Sequence, residues 1–215
     1  MKYIDKNRKN EPTSLIEYRN TANAYFDGCN KEDLREALLQ EQGFICAYCM
    51  QRIRNNRTIT KIEHYHPKNG TIENDLNYGN LLGVCSGGQG SSPKLQHCDT
   101  LKADTKITIN PLNRNVENQV FYKKDGRIYA KDKTIEKDLK ETLNLNLESL
   151  RDRRKAVLDI AIQRLQAKKE KGTWTKSILQ QELKKYTTKN KQGQFKEFCQ
   201  IVIADLNKRI ERLKK

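Results

Sequence analysis

The chain has 215 residues, 35% hydrophobic and 32% charged, which allows a real but small core under long solvated helices. It has no run of 18 apolar residues, which excludes a membrane-spanning helix, and its opening MKYIDKNRKNEPTS lacks the apolar segment of a secretory signal, so a cytoplasmic location with reduced thiols is expected. The net charge of +15 points to a polyanionic partner such as nucleic acid, or else to lysine-rich helices that are simply well solvated.

In chain order, residues 1–43 read as an arm followed by a helix. Residues 1–20 are polar and contain Pro12, so an extended or partly ordered arm is expected, pinned by Leu15, Ile16 and Tyr18. Asn30 then caps a helix whose first turn holds Glu32 and Asp33 and which Gly43 ends, with Leu34, Ala37, Leu38 and Glu41 along one face. Within 44–110, TITKIEHY (58–65) reads as a short strand, and Pro67, Asn69 and Gly70 open a loop running to about Gly79. Leu81–Val84 reads as a second strand, and Cys98–Thr105 as a helix with Asp99 in its first turn. Residues 111–147 form a connector with a hairpin: Gln119–Lys124 and Arg127–Lys131 flank Asp125-Gly126, which predicts a two-residue turn.

Residues 148–215 read as a basic helical region with three apolar stripes. Leu150, Val157, Leu158, Ala161 and Leu165 mark the first, over ESLRDRRKAVLDIAIQRLQAKK. Trp174, Ile178, Leu179 and Leu183 mark the second. Phe195, Phe198, Val202, Leu206, Ile210 and Leu213 mark the last. Such stripes are core contacts before they are cofactor boxes, and no internal repeat is visible. Residues 131–215 hold 23 Lys and Arg against 12 Asp and Glu, whereas 1–130 hold 19 against 15, so most of the positive excess lies in these helices. They are expected to dock a partner or contact nucleic acid. The fold class expected is α+β, mostly helical.

Four of the six cysteines and all three histidines fall between Cys46 and Lys102. Cys46-x-x-Cys49 offers two thiolates from one tight turn, and Cys85 with Cys98 completes a tetrahedral four-sulfur set for a structural zinc. Twelve residues separate the second pair, but the insert SGGQGSSPKLQH is rich in glycine and serine and can loop out and return. Four sulfurs leave no open position, so this ion would hold structure rather than activate water. His97 could replace one cysteine as a ligand; Cys29 and Cys199 read as plain core thiols.

Phosphodiester hydrolysis needs a base for water and a positive charge at the scissile phosphate. His64, with an ordinary pKa of about 6.5, suits the first task. A hard divalent ion such as Mg²⁺ or Mn²⁺, held by the carboxylates of Glu63 and Asp99, suits the second. Asn80 can hold loop backbone or His64 itself, and Lys102, one turn after Asp99, can contact a phosphate. Lys68 adds a further cation for nucleic acid. His66 either contacts a phosphate, two residues on from His64, or is an exposed loop residue with no role.

These segments, Cys46-Ala-Tyr-Cys49, Glu63-His64-Tyr65-His66-Pro67, Asn80-Leu81-Leu82 and Cys98-Asp99-Thr100-Leu101-Lys102, together resemble the zinc-stabilised HNH endonucleases, which have a ββα-metal fold. The resemblance implies His64 as general base, Glu63 and Asp99 on a catalytic divalent ion, and Asn80 as a loop brace. Many HNH proteins have Asp where Glu63 stands and Asn where Asp99 stands, and the wide Cys85–Cys98 gap is a further departure. Over residues 10–105, EPTSLIEYRN, LREALLQEQGFICAYCMQRI and the EHYHPK and HCDTLK segments are similar to the PtuB-type nuclease subunits of Septu and retron antiphage systems. That likeness implies a PtuA-type ATPase partner and, in a retron setting, a reverse transcriptase with its msDNA. A noncatalytic zinc module that binds nucleic acid or the ATPase is the competing reading. A zinc hydrolase of small molecules is disfavoured, because no open three-ligand zinc site is visible.

Overall fold

The computed structural model describes residues 1–167 and 174–213, which form an α+β fold with two small antiparallel sheets. The arm is more ordered than expected. It carries a helix, α1 (Thr13–Arg19), that buries Leu15 while Ile16 stays exposed. The backbone N–H of Ile4 donates to the Pro111 carbonyl (2.9 Å), and Lys6 Nζ reaches both the Leu81 carbonyl and Glu41 Oε2, each at 2.8 Å. Polar composition concealed this, because Met1, Ile4 and Leu15 point inward together with one lysine, Lys6.

Helix α2 (Lys31–Gln42) begins and ends as expected. The Asn30 side chain accepts from the N–H groups of Glu32 (3.0 Å) and Asp33 (3.2 Å), a cap typically worth about 1 kcal/mol. Gly43 closes it at φ 64°, and a Cβ there would lie 2.4 Å from the Phe195 ring, so both backbone and packing require glycine. Strands β1 (Thr60–His64) and β2 (Leu81–Cys85) pair antiparallel in the register Thr60↔Cys85 to His64↔Leu81. All five residues of β2 are buried. The amide of Gln42 covers the outer edge of β2 at Gly83, donating to its carbonyl and accepting its N–H at 2.7 Å each.

The loop from β1 to β2 contains a short helix, α3 (Ile72–Asp75), where only loop was expected. After β2 the chain reaches α4 (Asp99–Lys102), a single turn instead of the longer helix predicted. It is bounded by Cys98 at φ 55° and Ala103 at φ 47°, left-handed backbone that a helix cannot continue through. Beyond it come α5 (Val116–Gln119), the ribbon of β3 (Phe121–Tyr122) and β4 (Ile128–Tyr129), and α6 (Lys133–Lys137), which runs into a π-helical stretch, Asp138–Thr142. The hairpin turn is longer than expected. Lys123 N–H donates to the Arg127 carbonyl at 2.8 Å, leaving residues 124–126 as the loop. Gly126 holds the left-handed position such a loop needs (φ 84°), and a Cβ there would lie 2.0 Å from the Arg151 carbonyl.

Helices α7 (Glu148–Ala167), α8 (Lys176–Thr187) and α9 (Cys199–Arg212) pack on one another through Leu158, Leu165, Leu179, Tyr186, Val202 and Leu206. The last two residues of the first predicted helix, and the final two of the chain, lie outside the described residues. Phe195 and Phe198 precede α9 instead of opening it, and their N–H groups donate to Gly43 and Met50 carbonyls at 3.0 Å. Arg154, in a basic run that reads as solvated, is 1% exposed, with Nε on the Gly126 carbonyl (2.7 Å) and Nη2 on the Leu145 carbonyl (2.5 Å). Among the described residues no helix is long and apolar enough to cross a membrane.

Candidate functional site

The turn after α2, the end of β2 and the residue before α4 bring Cys46, Cys49, Cys85 and Cys98 together, all buried, with their sulfurs within 4.8 Å of one another. Cys46 and Cys98 Sγ are 3.9 Å apart, Cys49 and Cys85 Sγ 3.8 Å. A tetrahedral ion with zinc–sulfur bonds of about 2.3 Å separates its sulfurs by about 3.8 Å, so this cluster fits Zn²⁺. Burial raises the thiols of Cys49 and Cys98, while Cys85, hydrogen-bonded by Cys46, Cys49 and Cys98, is held well below the usual thiol range. A dication would balance such charge. His97 is not needed as a ligand: its Nδ1 lies 3.2 Å from Cys98 Sγ and 3.9 Å from Cys85 Sγ, beside the set. Cys29 and Cys199 are buried elsewhere, in separate apolar clusters.

Next to the cluster, β1 and α4 form the walls of a cleft of about 260 Å³ lined by Phe26, Lys61, Glu63, His64, Lys68 and Asp99, among others. His64 is 7% exposed and its ring meets Phe26 edge-on at 4.3 Å. His64 Nε2 lies 2.9 Å from the backbone carbonyl of Asp75. A carbonyl can only accept, so Nε2 carries the proton and Nδ1 is the basic atom of the ring. Burial lowers the His64 pKa, outweighing the Asp75 carbonyl and carboxylate, so the imidazole is neutral at pH 7.

Asp75 is held in turn, its carboxylate accepting from the N–H groups of Asn69 and Gly70 at 3.1 Å each. Asn80 is 5% exposed and spans the same loop: its Oδ1 accepts from His66 N–H (2.8 Å) and its Nδ2 donates to the His66 carbonyl (2.9 Å). Of its two expected partners, Asn80 takes the loop backbone.

The two carboxylates lie side by side. Burial and the hydrogen bond shared with Asp99 push Glu63 up to about 8, against the pull of Lys102. Burial also raises Asp99, but its bonds with Glu63 and Lys61 outweigh this and hold its carboxyl below the usual range. The pair thus carries one proton, with Glu63 as its donor. Lys61 Nζ lies 2.7 Å from Asp99 Oδ2, and the Tyr48 hydroxyl donates to Glu63 Oε1 at 3.0 Å.

One sequence expectation, that for Lys102, is corrected here, and of the two alternatives open for His66 the exposed loop residue is the one seen. Lys102 does not point to a phosphate; it is 1% exposed and its ammonium is bound to Glu63 Oε1 at 2.7 Å. His66 does not share the cleft with His64: β1 ends at His64, and His66 is exposed against the Tyr65 ring at 4.8 Å. Lys68 does line the cleft. Sequence reasoning missed Asp75, Tyr48, Phe26 and Lys61. Lys61 alone left a signal, since two residues on a strand put it on the face of Glu63. No family model matches the chain, and no curated protein matches it.

Proposed function

We propose that this chain is a metal-dependent endonuclease of the HNH type, hydrolysing phosphodiester bonds of DNA or of an RNA such as tRNA. The observation that carries the reading is the His64 ring, protonated at Nε2 by its bond to the Asp75 carbonyl and basic at Nδ1, in one cleft with the Glu63–Asp99 pair. The hairpin β1–β2 followed by α4, with four cysteines at its corners, is the arrangement a ββα-metal unit would have.

In this reading His64 takes a proton from water at Nδ1, and Asp75, Asn80 and Phe26 keep the imidazole in that tautomer and orientation. Lys61 and Lys68 draw the phosphodiester into the cleft. Glu63 and Asp99 would hold Mg²⁺ or Mn²⁺, which supplies positive charge to the phosphate and the leaving oxygen when bound. Lys102 and Tyr48 fix the Glu63 carboxylate. A zinc ion held by Cys46, Cys49, Cys85 and Cys98 would keep β2 and α4 in register with β1.

By its sequence resemblance to PtuB-type subunits, the chain would act with a PtuA-type ATPase in antiphage defence. The test is incubation of the purified chain, alone and with such a partner, with DNA and total RNA and Mg²⁺ or Mn²⁺. His64→Ala should slow cutting by at least about a hundredfold. Undiminished cutting by that variant would sink the assignment, and intact nucleic-acid binding without any cutting would favour the noncatalytic module.

A further inference from the structure

We infer that the outer face of the β3–β4 ribbon, with the groove between it and α9, is a binding site for single-stranded nucleic acid, separate from the His64 cleft. The ribbon has two unlike faces. Val120, Tyr122, Ile128 and Ala130 turn into the apolar cores. On the other face Phe121 and Tyr129 are cross-strand partners with rings 5.4 Å apart, tilted by 32°, and both are only partly buried. The remaining positions of that face are Lys123, Arg127 and Lys131. Lys131 Nζ lies 5.4 Å from the Phe121 ring and Lys123 Nζ 5.7 Å from the Tyr129 ring.

A cross-strand aromatic pair alone would serve ribbon stability. It would not require a cation at each neighbouring position, nor an open groove beside it. That groove, about 550 Å³, runs along the ribbon to α9 and adds Lys124, Lys208 and Arg212. Of its three acids, Glu117 pairs with Lys2 (3.3 Å) and Asp205 with Arg209 (2.5 Å), which leaves Glu211 as the one carboxylate of the groove without an ion pair among the described residues. No carboxylate of the described residues pairs with Lys123, Lys124, Lys131, Lys208 or Arg212, though Asp125 neutralises Arg127 at 2.5 Å. Flat rings beside unpaired cations match a strand of unstacked bases with a phosphate after each, which is how sequence-tolerant single-strand sites work. An acidic peptide would use the cations but not the ring faces, and a duplex hides the faces of its bases.

The test is fluorescence anisotropy of the full chain with labelled oligodeoxythymidylate and oligouridylate of about twelve nucleotides, with no divalent ion added. Both single strands should bind, and the tighter one identifies the natural class. Phe121→Leu and Tyr129→Leu, which keep apolar bulk but lose the stacking face, should each weaken binding by about tenfold. Phe121→Tyr and Tyr129→Phe should retain it. Lys123→Ser should weaken binding and flatten its salt dependence by about 0.7 in log–log slope.

Unchanged affinity in folded leucine variants overturns the proposal. So does displacement by polyglutamate as effective as by unlabelled oligonucleotide, or equal affinity for a duplex. If the leucine variants fail to fold, Lys123→Ser and Lys131→Ser decide, and wild-type affinity in both counts against the site. Binding is read without cleavage, so ring-dependent binding by a chain that does not cut even with its ATPase partner and Mg²⁺ or Mn²⁺ would count against the nuclease reading and keep this one.

Discussion

In the proposed nuclease, the residue that would link divalent-ion binding to pH is Glu63. With its pKa pushed up to about 8, it keeps a proton at pH 7 that a divalent ion must expel before both carboxylates can ligate. Below pH 8 each ion bound at this pair therefore releases a proton, and affinity rises with pH until the carboxyl ionises on its own. Titration calorimetry with Mn²⁺ should show affinity climbing by up to about tenfold per pH unit between about 6 and 8 and levelling above. The heat should depend on the buffer, and an affinity flat across that range would argue that Glu63 is no ligand. None of this was legible in the order Glu63-His64. The acid and the histidine stand out, but the Asp75 carbonyl, the Tyr48 hydroxyl and the burial of Lys102 arise only when distant segments fold together.

Elements with local signals were readable. Asn30 and Gly43 bracket α2 because cap chemistry acts within one turn, and β1 and β2 show as short β-favouring runs. Elements held by the rest of the molecule were not, including the N-terminal arm. Its Lys6, with its side chain only 11% exposed, is bonded to Glu41 at the end of α2 and to β2 at Leu81, and lies 3.9 Å from the centre of the Tyr78 ring. Lys6→Met should cost about 3–5 kcal/mol, because Glu41, its side chain 2% exposed, would be left without its cation. Changing both, Lys6→Met with Glu41→Leu, should restore most of that loss, as measured by urea denaturation. Burial lowers the Lys6 pKa to about 8, despite the pull of Glu41. Between pH 8 and 10.5 the unfolded chain binds more protons at this site, so the wild type should gain stability relative to the double variant as pH rises through that window. A parallel pH course for both would contradict the burial of this ammonium.

At the scale of the molecule, the four cysteines tie the chain together at three places, residues 46–49, 85 and 98, and the C-terminal segment is hydrogen-bonded onto the same turn through Phe195 and Phe198. With zinc held there, as proposed, stripping it with a strong chelator, or changing Cys85→Ser, should therefore lower the melting temperature by at least about 10 °C and broaden the transition. An unchanged melt would mean that the thiols pack without an ion. The cysteine spacing announced this node, but charge pattern misrepresented the helices. Arg154 reads as one more solvated cation, yet it is a buried clamp between α7 and the hairpin loop.

The adjacency of Cys98 and Asp99 also bears on how the chain is made. The last sulfur of the cluster and one carboxylate of the cleft leave the ribosome one residue apart, more than fifty residues after Cys46. A nascent chain shorter than this has neither a closed metal cage nor a carboxylate pair, whatever else has folded. The cleft is thus completed only once Asp99 has been made, and fragments that end before it would lack the carboxylate pair on which the proposed nuclease activity rests.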